Sequence, residues 1–191
     1  ISHQDDLFSV ETNDWTILSK NVIWAAGEFL YPRLDGFPGS ELCRHTATLT
    51  NYADLDGDDF LIIGGYESGA DAAYHLSKRG KKVTMFDKDD PWGLDNSDPS
   101  ISLSTFTYER MRDTSFEENV TLFPENAVTS IELVDGVYEL KSEDGQVFRS
   151  KTQPLLASGF DGSHTLVSHL FEERDDGFPL LNERDESTKT P

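Results

Sequence analysis

Three glycines and one aspartate have the spacing of a dinucleotide-binding site. Gly64, Gly65 and Gly69 follow one apolar run, and Asp87 follows the next, 18 residues after Gly69 and 23 after Gly64. Glycine lets the backbone approach a pyrophosphate closely, and an acid about 20 residues further along can accept a hydrogen bond from a ribose hydroxyl. A helix that begins at the glycines adds unpaired N–H groups for the same anion. The pattern therefore predicts a dinucleotide site.

Two residues depart from the G-x-G-x-x-G fingerprint. Tyr66 stands where the second glycine normally leaves room for the phosphates, and Glu67 adds a carboxylate where an anion would bind. The alternative is a turn that keeps its glycines for packing, with Glu67 accepting from the helix N–H groups itself. Two hypotheses stay open: a nucleotide-binding module, and a non-catalytic interaction or regulatory domain with a degenerate nucleotide pocket.

A strand–helix–strand unit must position these residues. Residues 60–63 predict a buried strand, an Ala-rich segment predicts a helix to about Arg79, and Gly80 suits the end of that helix. Residues 83–86 predict a second strand that ends at Asp87. The predicted fold class is α/β, with a Rossmann-like βαβ nucleotide-binding domain and a three-stranded β-meander.

The other predicted elements surround this unit. Upstream, we expect a hairpin at residues 7–11 and 15–19 and a strand at 21–27. Downstream, Ser104 or Thr105 can cap a helix that runs to Met111 or Arg112. The remaining expectations are a loop at 89–102, a strand at 120–123, a meander at 127–134, 137–140 and about 146–149 around Asp135-Gly136, and a closing strand at 154–159.

Composition limits the possible partners. The chain has 191 residues and a formal net charge of −20, which argues against nucleic acid and anionic membranes as partners. One cysteine, Cys43, excludes an internal disulfide and a C-x-x-C redox pair. Neither of the acidic pairs Asp58-Asp59 and Asp89-Asp90 has a histidine or a further carboxylate at metal-ligand spacing, so no metal site is predicted. A cytoplasmic location is expected, because no apolar run approaches the roughly 18 residues that span a bilayer.

The chain resembles the two-dinucleotide-domain flavoproteins, which include flavin-containing monooxygenases and pyridine-nucleotide disulfide reductases. In that superfamily an NAD(P) domain interrupts an FAD domain, so the chain passes between the two domains twice. Each of these two connecting segments contains a strand that ends in an Ala-Thr-Gly-like sequence. Residues 25–27 (Ala-Ala-Gly) and 157–159 (Ala-Ser-Gly) match these strand ends. The monooxygenase-like pattern Gly-x-Gly-x-Ser-Gly-x-Asp-x-Ala is met at positions 64, 68, 69, 71 and 73 and fails only at Tyr66. Residues 37–39 and His45 also resemble that branch's linker.

The resemblance implies a pyridine-nucleotide-binding module that presents NAD(P)H to FAD for hydride transfer. The implied cofactor-binding residues are Gly64, Gly65, Tyr66, Glu67, Ser68, Gly69, Asp87, Lys88, Ser158 and Gly159, with no catalytic side chain. NADH is slightly favoured over NADPH because Asp87 repels a 2′-phosphate, although Lys88 could bind one.

The resemblance also implies a domain organisation and a partner. Residues 1–50 correspond to the end of an FAD-domain half and a linker, 51–152 to the NAD(P)-binding domain, and 153–191 to a segment that returns toward the FAD domain. No second glycine fingerprint precedes Ile1, so we expect an excised domain whose partner is the rest of the flavoprotein and which carries no flavin itself.

Overall fold

The computed structural model describes residues 1–93, 96, 98 and 101–190, and the chain forms two compact units. One unit comprises residues 1–31 and 160–191, and the other comprises residues 32–159. The elements are β1 (Ser2–Gln4), β2 (Leu7–Glu11), β3 (Thr16–Ser19), β4 (Arg44–His45), β5 (Asp59–Ile63), α1 (Glu67–Ser77), β6 (Lys82–Phe86), α2 (Thr105–Met111), α3 (Thr114–Asn119), β7 (Val120–Phe123), β8 (Val128–Val134), β9 (Val137–Ser142), β10 (Val147–Ser150) and β11 (Leu155–Leu156).

A five-stranded parallel sheet forms the centre of the 32–159 unit, in the order β4-β11-β5-β6-β7. α1 connects β5 to the parallel strand β6, so the predicted βαβ unit is confirmed. Phe60, Leu61, Ile62 and Ile63 are all buried. Continuous apolar strands of this kind form where both faces of a parallel sheet are covered.

Alternate β5 side chains enter two different cores. Phe60 and Ile62 pack with α1 and Phe116, while Leu61 and Ile63 pack with residues of the meander. The α1 face of the first core contains Ala72 and Ala73. These small side chains let the helix backbone lie close to the strand that delivers the glycine turn.

The meander β8-β9-β10 is confirmed, with antiparallel pairing throughout. Its first turn has positive φ at both central residues, 51° at Asp135 and 78° at Gly136. A two-residue hairpin loop with both residues in the left-handed region has a backbone twist that matches the twist of the flanking strands. The side chains of Ile131 and Leu140 are buried between the meander and the parallel sheet.

The other unit contains an antiparallel sheet, β1-β2-β3, and a 3-10 helical segment at Ser163–Leu170. The predicted hairpin at 7–11 and 15–19 is confirmed as β2 and β3. The strand predicted at 21–27 is wrong. Gly27 O accepts from Ser163 N (3.2 Å), and Trp24 Nε1 donates to Ser163 Oγ (3.1 Å), so this segment bonds to residue 163 and forms no strand ladder.

The remaining elements differ in extent. α2 begins after the N-cap Ser104, as expected, and β7 matches residues 120–123. The closing strand is limited to β11, and α3, β1 and β4 were not predicted. Leu94, Asp95, Ser97, Pro99 and Ser100 of the expected loop 89–102 lie outside the described residues. No helix of the described chain is both long and apolar enough to cross a membrane.

Candidate functional site

The candidate site lies at the carboxyl edge of the parallel sheet, where β5, β6 and β11 end. Gly64 N donates to Phe86 O (2.8 Å), and Ala157 N donates to Ile63 O (2.7 Å), so three strand ends meet here. In open α/β sheets, ligands bind in the crevice outside this edge.

Gly64 and Gly69 shape the turn between β5 and α1. Gly64 has a φ of 98°, and a Cβ there would lie 2.3 Å from Ala157 O. A Cβ on Gly69 would lie 1.9 Å from Gly64 O. Both positions therefore require glycine, because the helix and β11 press against the turn.

The N-terminus of α1 points out of this turn. Tyr66 is the N-cap residue, and its side chain makes no capping hydrogen bond. The first N–H groups of a helix have no intrahelical acceptor, and together with the helix dipole they attract an anion. Ser68 lies exposed on this first turn.

Asp87 reaches the glycine turn directly. Its Oδ2 accepts from Gly65 N at 2.5 Å, and its Oδ1 accepts from Asp89 N at 2.9 Å. Each carboxylate oxygen has a second lone pair, so Asp87 can still accept from a ribose hydroxyl. Lys88 is exposed, with its Nζ 3.9 Å from Asp89 Oδ2.

Trp92 also contacts the turn, a contact that the sequence reasoning missed. Its Nε1 donates to Gly65 O at 2.9 Å, and a Cβ on Gly65 would lie 2.2 Å from Trp92 Cζ2. Only glycine fits at position 65, because the indole occupies the space that a side chain would need. No motif spacing predicts this contact; the sequence shows only that an aromatic residue follows Asp87 by five positions.

Tyr66 and Glu67 both bond to the segment that leads into α2. The Tyr66 hydroxyl donates to Ser102 O at 2.8 Å. Glu67 accepts from Ser104 N and Thr107 Oγ1, each at 2.5 Å. Glu67 therefore binds the N-terminus of α2, which differs from the alternative that it caps α1 itself. Burial, followed by the charge of Glu67, raises the pKa of Tyr66.

Ser158 and Gly159 are held at the end of β11. Ser158 Oγ donates to Arg33 O at 2.5 Å, and Gly159 O accepts from Arg33 N at 3.0 Å. His45 Nε2 lies 3.1 Å from the same Gly159 oxygen. These contacts fix the turn that follows the strand, with Gly159 at a φ of 81°.

His45 is a buried residue that caps the 3-10 helix at Thr46–Thr48. Its Nδ1 accepts from Ala47 N at 3.1 Å, so the neutral ring donates from Nε2 to Gly159 O. Burial lowers the pKa of His45, and the Gly159 carbonyl offsets part of this effect.

Asp71 joins α1 to its neighbours. Its carboxylate pairs with Arg110 of α2, and His75 Nε2 lies 3.5 Å away. The Arg110 guanidinium lies 4.3 Å from the centroid of Phe106. Burial and the Asp71 carboxylate raise the pKa of Tyr52 to about 12. Asp71 therefore holds α1, and the turn before it, in place.

Comparisons with known proteins agree with this geometry. The family model described as pyridine nucleotide-disulphide oxidoreductase matches residues 1–191. The chain belongs to the pyridine nucleotide-disulphide oxidoreductase family. The bacilliredoxin reductase Bdr of Bacillus subtilis is 25% identical over 190 residues, which cover 94% of this chain and 54% of that protein.

Solved structures of other proteins share the fold. Bacillithiol disulfide reductase Bdr from Bacillus cereus has a TM-score of 0.73 and 20% identity, with 97% of this chain and 57% of that chain covered. L-lysine 6-monooxygenase from Pseudomonas syringae has a TM-score of 0.68 and 13% identity, with 93% and 55% covered. The chain thus spans about half the length of these relatives.

The family implies NAD(P)H and FAD, and the site can be tested against each. Gly64, Gly69 and the uncapped start of α1 form a backbone cradle that fits a pyrophosphate, and Asp87 stands beside it. A second strand–glycine–helix unit is not found in the described part of the chain. The described residues therefore fit the pyrophosphate of a dinucleotide at the turn between β5 and α1, and no second turn of this kind lies among them.

Proposed function

We propose that this chain is the pyridine-nucleotide-binding module of an FAD-dependent oxidoreductase and that it presents NAD(P)H for hydride transfer to the flavin. The observation that carries the proposal is the glycine turn at residues 64–69. This turn places the N-terminus of α1, which has no side-chain cap from Tyr66, at the carboxyl edge of a parallel sheet. The nicotinamide supplies the hydride when bound. The protein's own part is to bind and orient the dinucleotide.

The side chains of Tyr66 and Glu67 are compatible with this proposal. The hydroxyl of Tyr66 is engaged by Ser102, and the carboxylate of Glu67 is engaged by Ser104 and Thr107. Both groups therefore have partners in the α2 segment, so neither needs to compete with a phosphate for the N–H groups of α1.

Two glycine-to-alanine variants test the site. Gly69→Ala places a Cβ against Gly64 O and must distort the turn, whereas Gly36 has open space around it and an ordinary φ. Calorimetric titration should show that Gly69→Ala weakens NADH binding by about tenfold or more, equivalent to about 1.4 kcal/mol. Gly36→Ala should bind as the wild type does. Equal affinity in both variants would contradict the proposed site.

We further propose that the module prefers NADH. The Asp87 carboxylate can accept from the ribose 2′-hydroxyl and repels a 2′-phosphate, while Lys88 is exposed and only weakly paired. Asp87→Asn keeps an acceptor for Gly65 N and removes the charge. The ratio of NADPH to NADH affinity should therefore rise in Asp87→Asn; a wild type that binds NADPH tenfold more tightly would refute the assignment.

The flavin is proposed to be held by other parts of the intact protein. The 191-residue chain should then purify without the visible absorbance of bound flavin. A yellow preparation with about one flavin per chain would contradict this part of the proposal.

A second candidate function is a non-catalytic interaction or regulatory domain with a degenerate pocket. The contacts that Trp92 and Asp87 make with Gly65 favour it, since the turn is engaged by its own chain. Titration separates the two candidates: the second requires that neither NADH nor NADPH binds at millimolar concentration.

A further inference from the structure

An indole covers one side of the glycine turn. Trp92 Nε1 donates to Gly65 O at 2.9 Å, and the space that a Gly65 Cβ would enter contains Trp92 Cζ2 at 2.2 Å and Asp87 Cβ at 3.1 Å. The ring therefore lies beside Asp87, against the face of Gly65 that is turned toward this acid.

The same space is needed by a bound dinucleotide. An acid at the end of the second strand accepts from the adenosine ribose, and the pyrophosphate continues to the helix N-terminus. A ribose that bonds to Asp87 must therefore lie next to Gly65, where the indole is packed.

We propose that Trp92 occludes the adenosine side of the nucleotide site and that a dinucleotide must displace its indole in order to bind. This inference rests on the proposed function, because it concerns the same glycine turn. Trp92 is thus an affinity-determining residue of this chain, and its conformation couples residues 87–92 to the occupancy of the site.

Several contacts hold the indole in place. Trp92 is half-buried against the core between the sheet and α1, and it donates to Gly65 O. Its neighbour Pro91 is buried, and Pro91 O accepts from the Tyr108 hydroxyl at 3.1 Å. When only a fraction of molecules has an open site, the apparent dissociation constant increases by the inverse of that fraction. Weakening these contacts should therefore tighten nucleotide binding.

Calorimetric titration with ADP-ribose tests this without any enzymatic turnover. Trp92→Ala removes the ring, and Trp92→Phe keeps an aromatic ring while removing the N–H donor. We expect Trp92→Ala to bind ADP-ribose about fivefold or more tightly than the wild type, the equivalent of one neutral hydrogen bond. The affinity of Trp92→Phe for ADP-ribose should lie between those of the wild type and Trp92→Ala. Trp15→Ala, at an exposed position of the other unit, is the matched control and should leave the affinity unchanged.

Fluorescence of Trp92 itself provides a second test that leaves this ring and its contacts in place. In a Trp15→Phe, Trp24→Phe background, Trp92 is the remaining tryptophan. Saturating ADP-ribose should increase the acrylamide quenching of Trp92, because the displaced indole enters solvent. Reduced quenching would show that the nucleotide covers the ring, which overturns the proposal.

The outcomes separate this inference from the proposed function. Wild type that binds ADP-ribose as tightly as Trp92→Ala refutes the occlusion and leaves nucleotide binding intact. Weaker binding by Trp92→Ala also refutes it, because the indole would then support the adenine by stacking. Absence of binding in the wild type and all variants overturns both proposals.

Discussion

The two units of the chain bury their apolar side chains to very different extents. Of the buried apolar residues in the described chain, all except Val167 and Leu170 belong to the 32–159 unit. The smaller unit instead exposes about half of its large apolar side chains, including Trp15, Ile23 and Leu30. The 32–159 unit, termed the nucleotide unit because it contains the proposed nucleotide site, thus has a core of its own, which is what an independently folding domain requires.

The difference follows from the layers that each unit contains. The parallel sheet has α1 on one face and the meander on the other, so both faces of β5 are covered. In the smaller unit the described elements are three short antiparallel strands and a 3-10 helical segment. A sheet of this size buries little apolar surface by itself. We therefore expect the nucleotide unit to carry most of the chain's stability.

The largest expected effect comes from a pair of matched isoleucine substitutions. Ile62 is 0% exposed in the parallel sheet, and Ile23 is 91% exposed in the smaller unit. Ile62→Ala should cost about 2–5 kcal/mol, because it removes buried methyl groups and leaves a cavity. Ile23→Ala should change stability by about 0.5 kcal/mol or less. Urea unfolding followed by circular dichroism measures both.

This pair of variants can also break the comparison. If Ile23→Ala destabilises the chain as much as Ile62→Ala, the face that carries Ile23 is covered in solution. A concentration-dependent midpoint would then identify self-association as the cause.

A smaller effect is expected from salt, and it should differ between the units. Residues 1–31 and 160–191 contain 13 acidic and 4 basic residues, whereas residues 32–159 contain 23 acidic and 12 basic residues in twice the length. Self-repulsion per residue is therefore greater in the smaller unit. Raising NaCl from 0.1 M to 1 M shortens the screening length from about 10 Å to about 3 Å. Relief of about 1 kcal/mol would raise the melting temperature of such a unit by roughly 4–8 °C.

Hydrogen exchange read by mass spectrometry resolves this salt effect by region. Peptides from β2 and β3 should gain protection in 1 M NaCl, and peptides from β5 should change less. Equal gains in protection in both units would show that repulsion is spread over the whole chain. The two units would then not differ in how charge affects their stability.

The sequence predicted the nucleotide unit better than the smaller unit, for a physical reason. β5, α1, β6 and the meander have strong local signals: a continuous apolar run, glycines that only a tight turn requires, and the Asp135-Gly136 hairpin. The segment at 21–27 is equally apolar, but its partner is Ser163, far away in sequence. Apolar content alone therefore could not distinguish a strand from an irregular segment.

The same limit applies to the site. The spacing of Gly64, Gly69 and Asp87 was sufficient to place them at one sheet edge, because the βαβ geometry is local. The contacts of Trp92 with Gly65, and of Glu67 with the start of α2, join residues that lie 27 and 37 positions apart in the chain. Sequence spacing contains no information about such contacts. The roles of the site residues toward a nucleotide stay predictions until binding is measured.

The smallest expected effect concerns the pH dependence of the nucleotide unit, through His45. Burial lowers the pKa of His45 below its ordinary value of 6.5, so the folded state binds a proton less readily than the unfolded state. Stability rises with pH wherever the unfolded state binds more protons. The contribution of neutral His45 is therefore complete above the unfolded pKa and is lost as the pH falls from about 6.5 toward the lowered folded value. Protonation would also remove the Nδ1 acceptor from Ala47 N.

A matched pair of histidine variants isolates this contribution. The melting temperature of the wild type should fall between pH 7.5 and pH 5.5, and part of that fall should disappear in His45→Gln. His169, an exposed residue of the smaller unit, provides the control, and His169→Gln should keep the wild-type pH dependence. An undiminished fall in His45→Gln would mean that other groups cause the acid sensitivity. A diminished fall in His169→Gln as well would place part of the sensitivity in the smaller unit, contrary to the expectation that the buried histidine of the nucleotide unit produces it.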